Sequence, residues 1–269
     1  MTGNLRSLNC ISFGVSFQLM ADSDVLLTAM QKFMPVGTQV STVTSRDARN
    51  FTLRCMRGDA GYRLDVDGDV VVEGSTLQPI LDKLSCDLMV HVANFAPDLL
   101  FVHAGVVGWQ GQALLLPGAS FAGKTTLVAE LVRAGATYYS DEYAVLDECG
   151  HVHPYARDLQ MREHRGATQS SVGVALLGGA EGTEPLAVSR VVFTEFVESG
   201  HWNPEPVSAG LAVLEMLQHS IPVQRTPARV MAMLARMMET ATAVRTERGE
   251  AREAANLLLD AMIIGEVSR

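Results

Sequence analysis

The stretch GASFAGKTT, residues 118–126, is the strongest constraint on how this chain can fold. A glycine, four residues, then glycine, lysine and threonine is a spacing at which backbone amides can converge on a phosphate. Small residues are needed because those amides must point inward together. Gly118 and Gly123 mark the two tight positions, and Ala119, Ser120, Phe121 and Ala122 span the crest between them. Lys124 has the reach for terminal phosphates, the Thr125 hydroxyl suits Mg2+, and Thr126 falls in the first turn of whatever follows. An apolar run, ALLLP, precedes the loop, and KTTLVAELVRAG follows with Leu127, Val128, Leu131 and Val132 at helical spacing. A strand that feeds a helix through such a loop requires an α/β arrangement, with the helix N-terminus aimed at the anion. Phe121 is bulky for a loop crest. It packs on a base, touches a partner, or shields the loop.

The rest of the chain divides around this unit. Residues 11–20 read as a strand and 24–34 as a helix capped by Asp22 or Ser23. NFTLRCMR reads as a strand, and YRLDVDGDVVVEG as a hairpin turning at Asp67-Gly68. Residues 76–96 read as a helix. Residues 1–98 are therefore expected to form a small α+β region, and 99–269 a second region carrying the loop. In the second region, 99–118 reads as two strands about a Gln110-Gly111 turn, and TYYSDEYAVLD, 137–147, as one strand. SVGVALLGG and SRVVFTEFV read as strands. AGLAVLEMLQHS, PARVMAMLARMMETATAV and EAANLLLDAMI read as helices, with RTERGEAREAAN as a charged surface stretch before the last.

A phosphoryl-transfer site needs carboxylates beside the loop. Asp141 and Glu142 supply them in YYSDEY: one to hold Mg2+, the other to take a proton from an attacking hydroxyl. The alternative for this pair is a solvated turn. His103, at the end of LLFVH, is either a phosphate or proton-transfer contact or a buried histidine satisfied by backbone. Arg157 and Arg162 are either phosphate clamps or solvated charges, and Arg165 reads as solvated.

These residues resemble a known group. HAGVVGWQGQALLLPGASFAGKTTLVAELVRAGATYYSDEYAVLD is similar to the catalytic core of the bacterial HPr serine kinase/phosphorylase family, and resembles its uncharacterised relatives more closely. The resemblance runs through about residues 99–165 and thins on either side. It implies a P-loop core of the HPr kinase and phosphoenolpyruvate carboxykinase type rather than a doubly wound parallel sheet. It also implies a kinase that uses ATP or GTP with Mg2+. His103 matches the family's histidine, Gly118–Thr125 its phosphate loop, and Asp141-Glu142 its acidic pair, where the family has consecutive aspartates. On that footing Lys124 holds phosphate, Thr125 and Glu142 organise the metal, Asp141 activates the hydroxyl and His103 assists. The glycine- and arginine-rich signature of the phosphorylase direction has no counterpart in PYARDLQMREHRG. The expected acceptor is a Ser or Thr in a peptide or protein, or a small hydroxyl compound. A nucleotide hydrolase or switch, and a non-catalytic nucleotide-binding scaffold, are the rival readings. Resembling enzymes form rings, so a homo-oligomer is also expected.

Composition narrows the partners. The formal net charge of -9 disfavours nucleic acid and acidic membrane surfaces. Cys10, Cys55, Cys86 and Cys149 have no close sequence pairing, and no apolar run is long enough to span a bilayer, so a reducing, cytoplasmic setting is expected. Two further stretches carry possible ligands. DVDGDV has half a calcium loop, but position twelve from Asp65 is Thr76, so a hairpin turn explains it better. CGHVH sets Cys149, His151 and His153 together without an evident fourth zinc ligand. Met231, Met233, Met237 and Met238 on one helix read as packing between helices.

Overall fold

In the computed structural model, residues 5–43, 45–56, 61–118, 123–161 and 170–264 are described. The chain is mixed α/β and divides into two compact units, Met1–Pro97 and Asp98–Arg269. Among the described residues, no helix is long and apolar enough to cross a membrane.

Among its described residues, the first unit is a six-stranded sheet with two helices. Its strands are β1 (Arg6–Ser12), β2 (Val15–Ala21), β3 (Gln39–Ser41), β4 (Arg49–Cys55), β5 (Tyr62–Val66) and β6 (Asp69–Gly74), in the order β3-β1-β2-β4-β5-β6. Helix α1 (Asp24–Gln31) starts at Ser23, whose hydroxyl accepts from the amide of Leu26. Helix α2 is Leu77–Phe95. The expected single strand over 11–20 is instead the junction of β1 and β2. Phe13 and Gly14 both have positive φ (46° and 77°), which folds the chain into a tight hairpin. Asp67 and Gly68 turn β5 into β6, also at positive φ. The acidic groups of that hairpin are engaged within the fold. Buried Asp65 pairs with Arg54 and Arg63, and Asp67 accepts from Arg49 and the amide of Asn50.

The second unit is built on a mixed sheet. Its strands are β7 (Leu99–Trp109), β8 (Gln112–Pro117), β9 (Thr137–Ser140), β10 (Tyr143–Asp147), β11 (His151–His153), β14 (Leu186–Phe196), β15 (Glu205–Val207) and β16 (Thr242–Arg248). The short pair β12 (Leu159–Met161) and β13 (Ser170–Val172) stands apart. The helices are α3 (Lys124–Arg133), α4 (Ala209–Leu217), α5 (Pro227–Met237) and α6 (Ala251–Ile264). Strand β8 has antiparallel β7 on one side and parallel β14 on the other, and β16 continues the parallel set beyond β14. β11 also pairs with the start of β14, so β10, β7, β8, β14 and β11 close on themselves.

Alternation along these strands separates two apolar layers. Leu100, Val102, Ala104, Val106, Ala113 and Leu115 face the α4–α5 side with Met233, Met237 and Met238, which are ordinary core residues. Val107, Leu114, Leu116 and Val192 face α3 and α6. Helices on both faces leave β8 buried throughout its apolar run, as the continuous hydrophobicity of ALLLP requires.

Three expected elements differ. TYYSDEYAVLD is two strands, because the Ser140 hydroxyl accepts from the amides of Glu142 and Tyr143 and breaks the ladder at Asp141. SVGVALLGG is not a strand beyond Val172. Residues Val174–Leu177 form a 3-10 turn that ends at Gly178 in the left-handed region. The methionine helix stops at Met237, and Thr242–Arg248 is a strand beside β14 rather than helix followed by charged surface. Its β-branched Thr242, Val244 and Thr246 suit a pleated strand, while Ala243 and Thr246 bury against the core.

Candidate functional site

The site lies where β8 gives way to α3. Parallel β8, β14 and β16 all run toward this edge, and ligands in α/β sheets gather at the carboxyl ends of strands. Gly118 and Gly123 bracket the loop. Ala119, Ser120, Phe121 and Ala122, predicted as its crest, lie outside the described residues, as does Arg162. Gly123 sits at φ 78° and opens α3, whose positive N-terminal end faces the loop.

Two side chains converge on the near end of the loop. The Lys124 ammonium donates to the Gly118 carbonyl at 2.7 Å. His103 places Nδ1 2.9 Å from the same oxygen, and since a carbonyl only accepts, that nitrogen carries the proton. The backbone of His103 is tied on both sides: its amide donates to the His219 carbonyl and its carbonyl accepts from the amide of Gly118. Burial and then the nearby Lys124 charge push the His103 pKa down to about 4, so the imidazole is neutral at pH 7. Burial lowers Lys124 to about 8, against the opposing pull of Asp141 and Glu142. The lysine is thus a cation held in a site that does not fully solvate it.

The acidic pair stands across from these. The Thr125 hydroxyl donates to Asp141 Oδ2 at 2.9 Å. The Tyr138 hydroxyl lies 2.9 Å from Asp141 Oδ1 and 2.8 Å from the Arg157 carbonyl, which fixes the carboxylate from its other side. Glu142 is ion-paired with Arg157 at 2.8 Å. Burial raises the pKa of both carboxyls above the ordinary range. Hydrogen bonds from Thr125 and Tyr138 oppose this at Asp141, and the Arg157 charge opposes it at Glu142. Such carboxylates bind protons and cations more readily than exposed ones.

The structure thus gathers His103, Gly118, Gly123, Lys124, Thr125, Asp141, Glu142 and Arg157 in one place. Thr126 is exposed on the first turn of α3. Thr125 bonds to Asp141, whereas the sequence reading pairs it with Glu142 for the metal. Three residues escaped the sequence reading. His219, from the segment after α4, senses the Lys124 charge, and its own pKa is lowered chiefly by burial. Tyr138 orients Asp141, and its alternation with Tyr139 on a strand gave no sign of that. Arg248, read as surface charge, is only 3% exposed, and its Nη2 donates to the Gly123 carbonyl at 3.0 Å.

The CGHVH stretch is a turn at the far end of β10. Asp147 Oδ1 accepts from the amides of Cys149 and His151, and Oδ2 lies 2.9 Å from His153 Nε2. Ligand atoms of Asp147, Cys149 and His151 lie within 4.8 Å of one another. That carboxylate already closes the turn that shapes the cluster.

No protein-family model matches the chain, and no curated protein matches it either.

Proposed function

We propose that the protein is a nucleotide-dependent phosphotransferase that moves the terminal phosphoryl group of ATP or GTP to a hydroxyl acceptor. The acceptor would be a Ser or Thr of a peptide or protein, or a small molecule. The observation that carries the reading is the 2.9 Å bond between the Thr125 hydroxyl and Asp141. It joins the last residue of a phosphate-loop pattern to a half-buried carboxylate from the turn between β9 and β10, beside a lysine whose charge lacks full solvation. A core of the HPr kinase and phosphoenolpyruvate carboxykinase type is part of the proposal. It is supported by the mixed neighbours of β8, antiparallel on one side and parallel on the other.

The roles follow from the geometry. The amides at the start of α3 and Lys124 bind phosphate oxygens, Lys124 exchanging the Gly118 carbonyl for them. Thr125 and Asp141 offer the hard oxygen donors that Mg2+ requires, and the bound ion would neutralise phosphate charge. Asp141 therefore takes the metal role in place of Glu142, and Glu142 becomes the group that accepts the proton of the acceptor hydroxyl. As the new oxygen–phosphorus bond forms, the bond to the bridging oxygen of the nucleotide breaks and the diphosphate leaves. Neutral His103, with its proton held on Nδ1 by the Gly118 carbonyl, offers its outer nitrogen Nε2 as a hydrogen-bond acceptor for the acceptor hydroxyl rather than a charge.

The test is a search for acceptors by mass spectrometry with labelled ATP and Mg2+, comparing wild type with Lys124→Ala and Asp141→Asn. Transfer should fall at least ~100-fold in both variants, since each removes charge stabilisation around the transferred group. Undiminished transfer in both would refute the assignment. Brisk hydrolysis with no acceptor would replace it with a nucleotide hydrolase, and binding without turnover with a scaffold.

A further inference from the structure

Arg248 is a buried charge at this edge of the sheet. It ends β16, opposite Phe196 in the parallel pairing with β14, at the same sheet edge as the loop. Its guanidinium lies beside the opening of α3. A Cβ at Gly123 would come within 2.4 Å of Nη2, so a larger residue there would push the guanidinium aside, besides being strained at φ 78°. Two of its five N–H groups are accounted for: Nη2 to the Gly123 carbonyl, and Nη1 to the Gly249 carbonyl at 3.2 Å. Its Nε is buried with no acceptor. Among the described residues no carboxylate is within ion-pairing distance; Glu250, whose charge acts on Arg248, and the adjacent Glu247 are both exposed. Phe196 covers one face of the group, 5.5 Å from ring centre to the guanidinium carbon.

A buried arginine is normally matched by a carboxylate or a full set of carbonyls. This one adds a positive charge beside the N-terminus of α3, which is itself positive. Both features call for the same missing partner, an anion.

We infer that Arg248 belongs to the phosphate-binding site: it holds the end of the loop at Gly123, and the polyphosphate of a bound nucleotide completes its hydrogen bonds and its charge. The inference rests on the nucleotide reading given above and adds to it a residue from a separate strand. A planar, permanently charged fork also explains why arginine rather than lysine is suited to bracing a carbonyl and meeting phosphate at once.

The experiment is calorimetric titration of the full chain with ATP, together with melting curves with and without ATP, for wild type, Arg248→Met and Arg248→Lys. Arg248→Met should weaken ATP binding by ~10-fold or more, with Arg248→Lys in between, because a charge-assisted contact to phosphate is lost or made less directional. The ligand-free melting temperature of Arg248→Met should equal or exceed that of wild type, since the substitution removes a buried charge whose counter-charge, Glu250, is exposed and makes no ion pair with it. The rise in melting temperature on adding ATP should shrink. A purely structural arginine gives the opposite pattern, a lower ligand-free melting temperature with unchanged affinity, and that result overturns the inference. Wild-type affinity in Arg248→Met overturns it too, while leaving the nucleotide reading intact. Failure of wild type itself to bind ATP removes the nucleotide reading and this inference together. If Arg248→Met does not fold, Arg248→Lys decides: weaker ATP binding at an unchanged ligand-free melting temperature supports the inference, and unchanged binding overturns it.

Discussion

Asp141 and Glu142 are adjacent in sequence yet differently engaged, one held by Thr125 and Tyr138, the other by Arg157. The proposed roles therefore separate in a Mg2+ titration. Asp141→Asn should raise the Mg2+ concentration needed for half-maximal activity, while Glu142→Gln should lower kcat by ~100-fold or more with the Mg2+ requirement unchanged. Equal behaviour of the two variants would end that division of labour. Lys124 sets a pH dependence of its own. With its pKa lowered to about 8, it loses its proton above that pH and an anionic ligand loses a counter-charge. ATP affinity should be level below pH 8 and fall above it, by up to about tenfold per pH unit, until the ordinary lysine range is reached. Affinity that stays level through pH 10 would contradict it. His103 acts on stability in the opposite direction of pH. Its folded pKa, about 4, lies below the unfolded value of 6.5, so the unfolded chain binds the proton more readily between them. Its contribution is present above pH 6.5 and lost as pH falls toward 4, worth roughly 3 kcal/mol at most. The raised carboxyls nearby oppose this, so the comparison is of wild type with His103→Gln, in which the acid loss measured by urea unfolding should be smaller.

At the scale of elements, local pattern was legible and long-range pairing was not. The strand, loop and helix of 113–133 could be read because each has its own signature: a continuous apolar run, paired glycines, then apolar residues at helical spacing. His103, Lys124, Thr125, Asp141, Glu142 and Arg157 were within reach of the same reading, since they cluster in sequence around that unit. Arg248 was not, because its burial comes from β14, an element some fifty residues away whose pairing leaves no local trace. The same cause hid β16 behind a methionine-rich helix, and the Ser140 hydroxyl split a strand that alternation alone presents as whole. Packing between elements can be tested at Gly105 on β7. A Cβ there would lie 2.6 Å from Val128 Cγ2 on α3, in a fully buried layer. Gly105→Ala should cost about 1–3 kcal/mol in chemical denaturation by forcing strand and helix apart. No measurable loss would mean that α3 can move away from β7 without penalty.

For the whole molecule, all the site residues fall in one unit. Residues 98–269 carry their own two apolar layers and every site group named above. That segment alone should melt cooperatively and gain thermal stability with ATP. A non-cooperative melt would show that the first unit is needed for its folding.

The parallel joins of β14 also set the order in which the second unit assembles. β7 and β8 meet through the two-residue turn at Gln110-Gly111, a contact between near neighbours in the chain. β16 can reach β14 only after the segment holding α4 and α5 has crossed over, so its pairing closes a long loop. Contacts of large sequence separation form slowly. In a chain emerging from synthesis, His103, Lys124 and the acidic pair are therefore assembled early, and Arg248 arrives with the last strand. A chain that ends before β16 would hold the lysine end of the loop and lack the brace at Gly123.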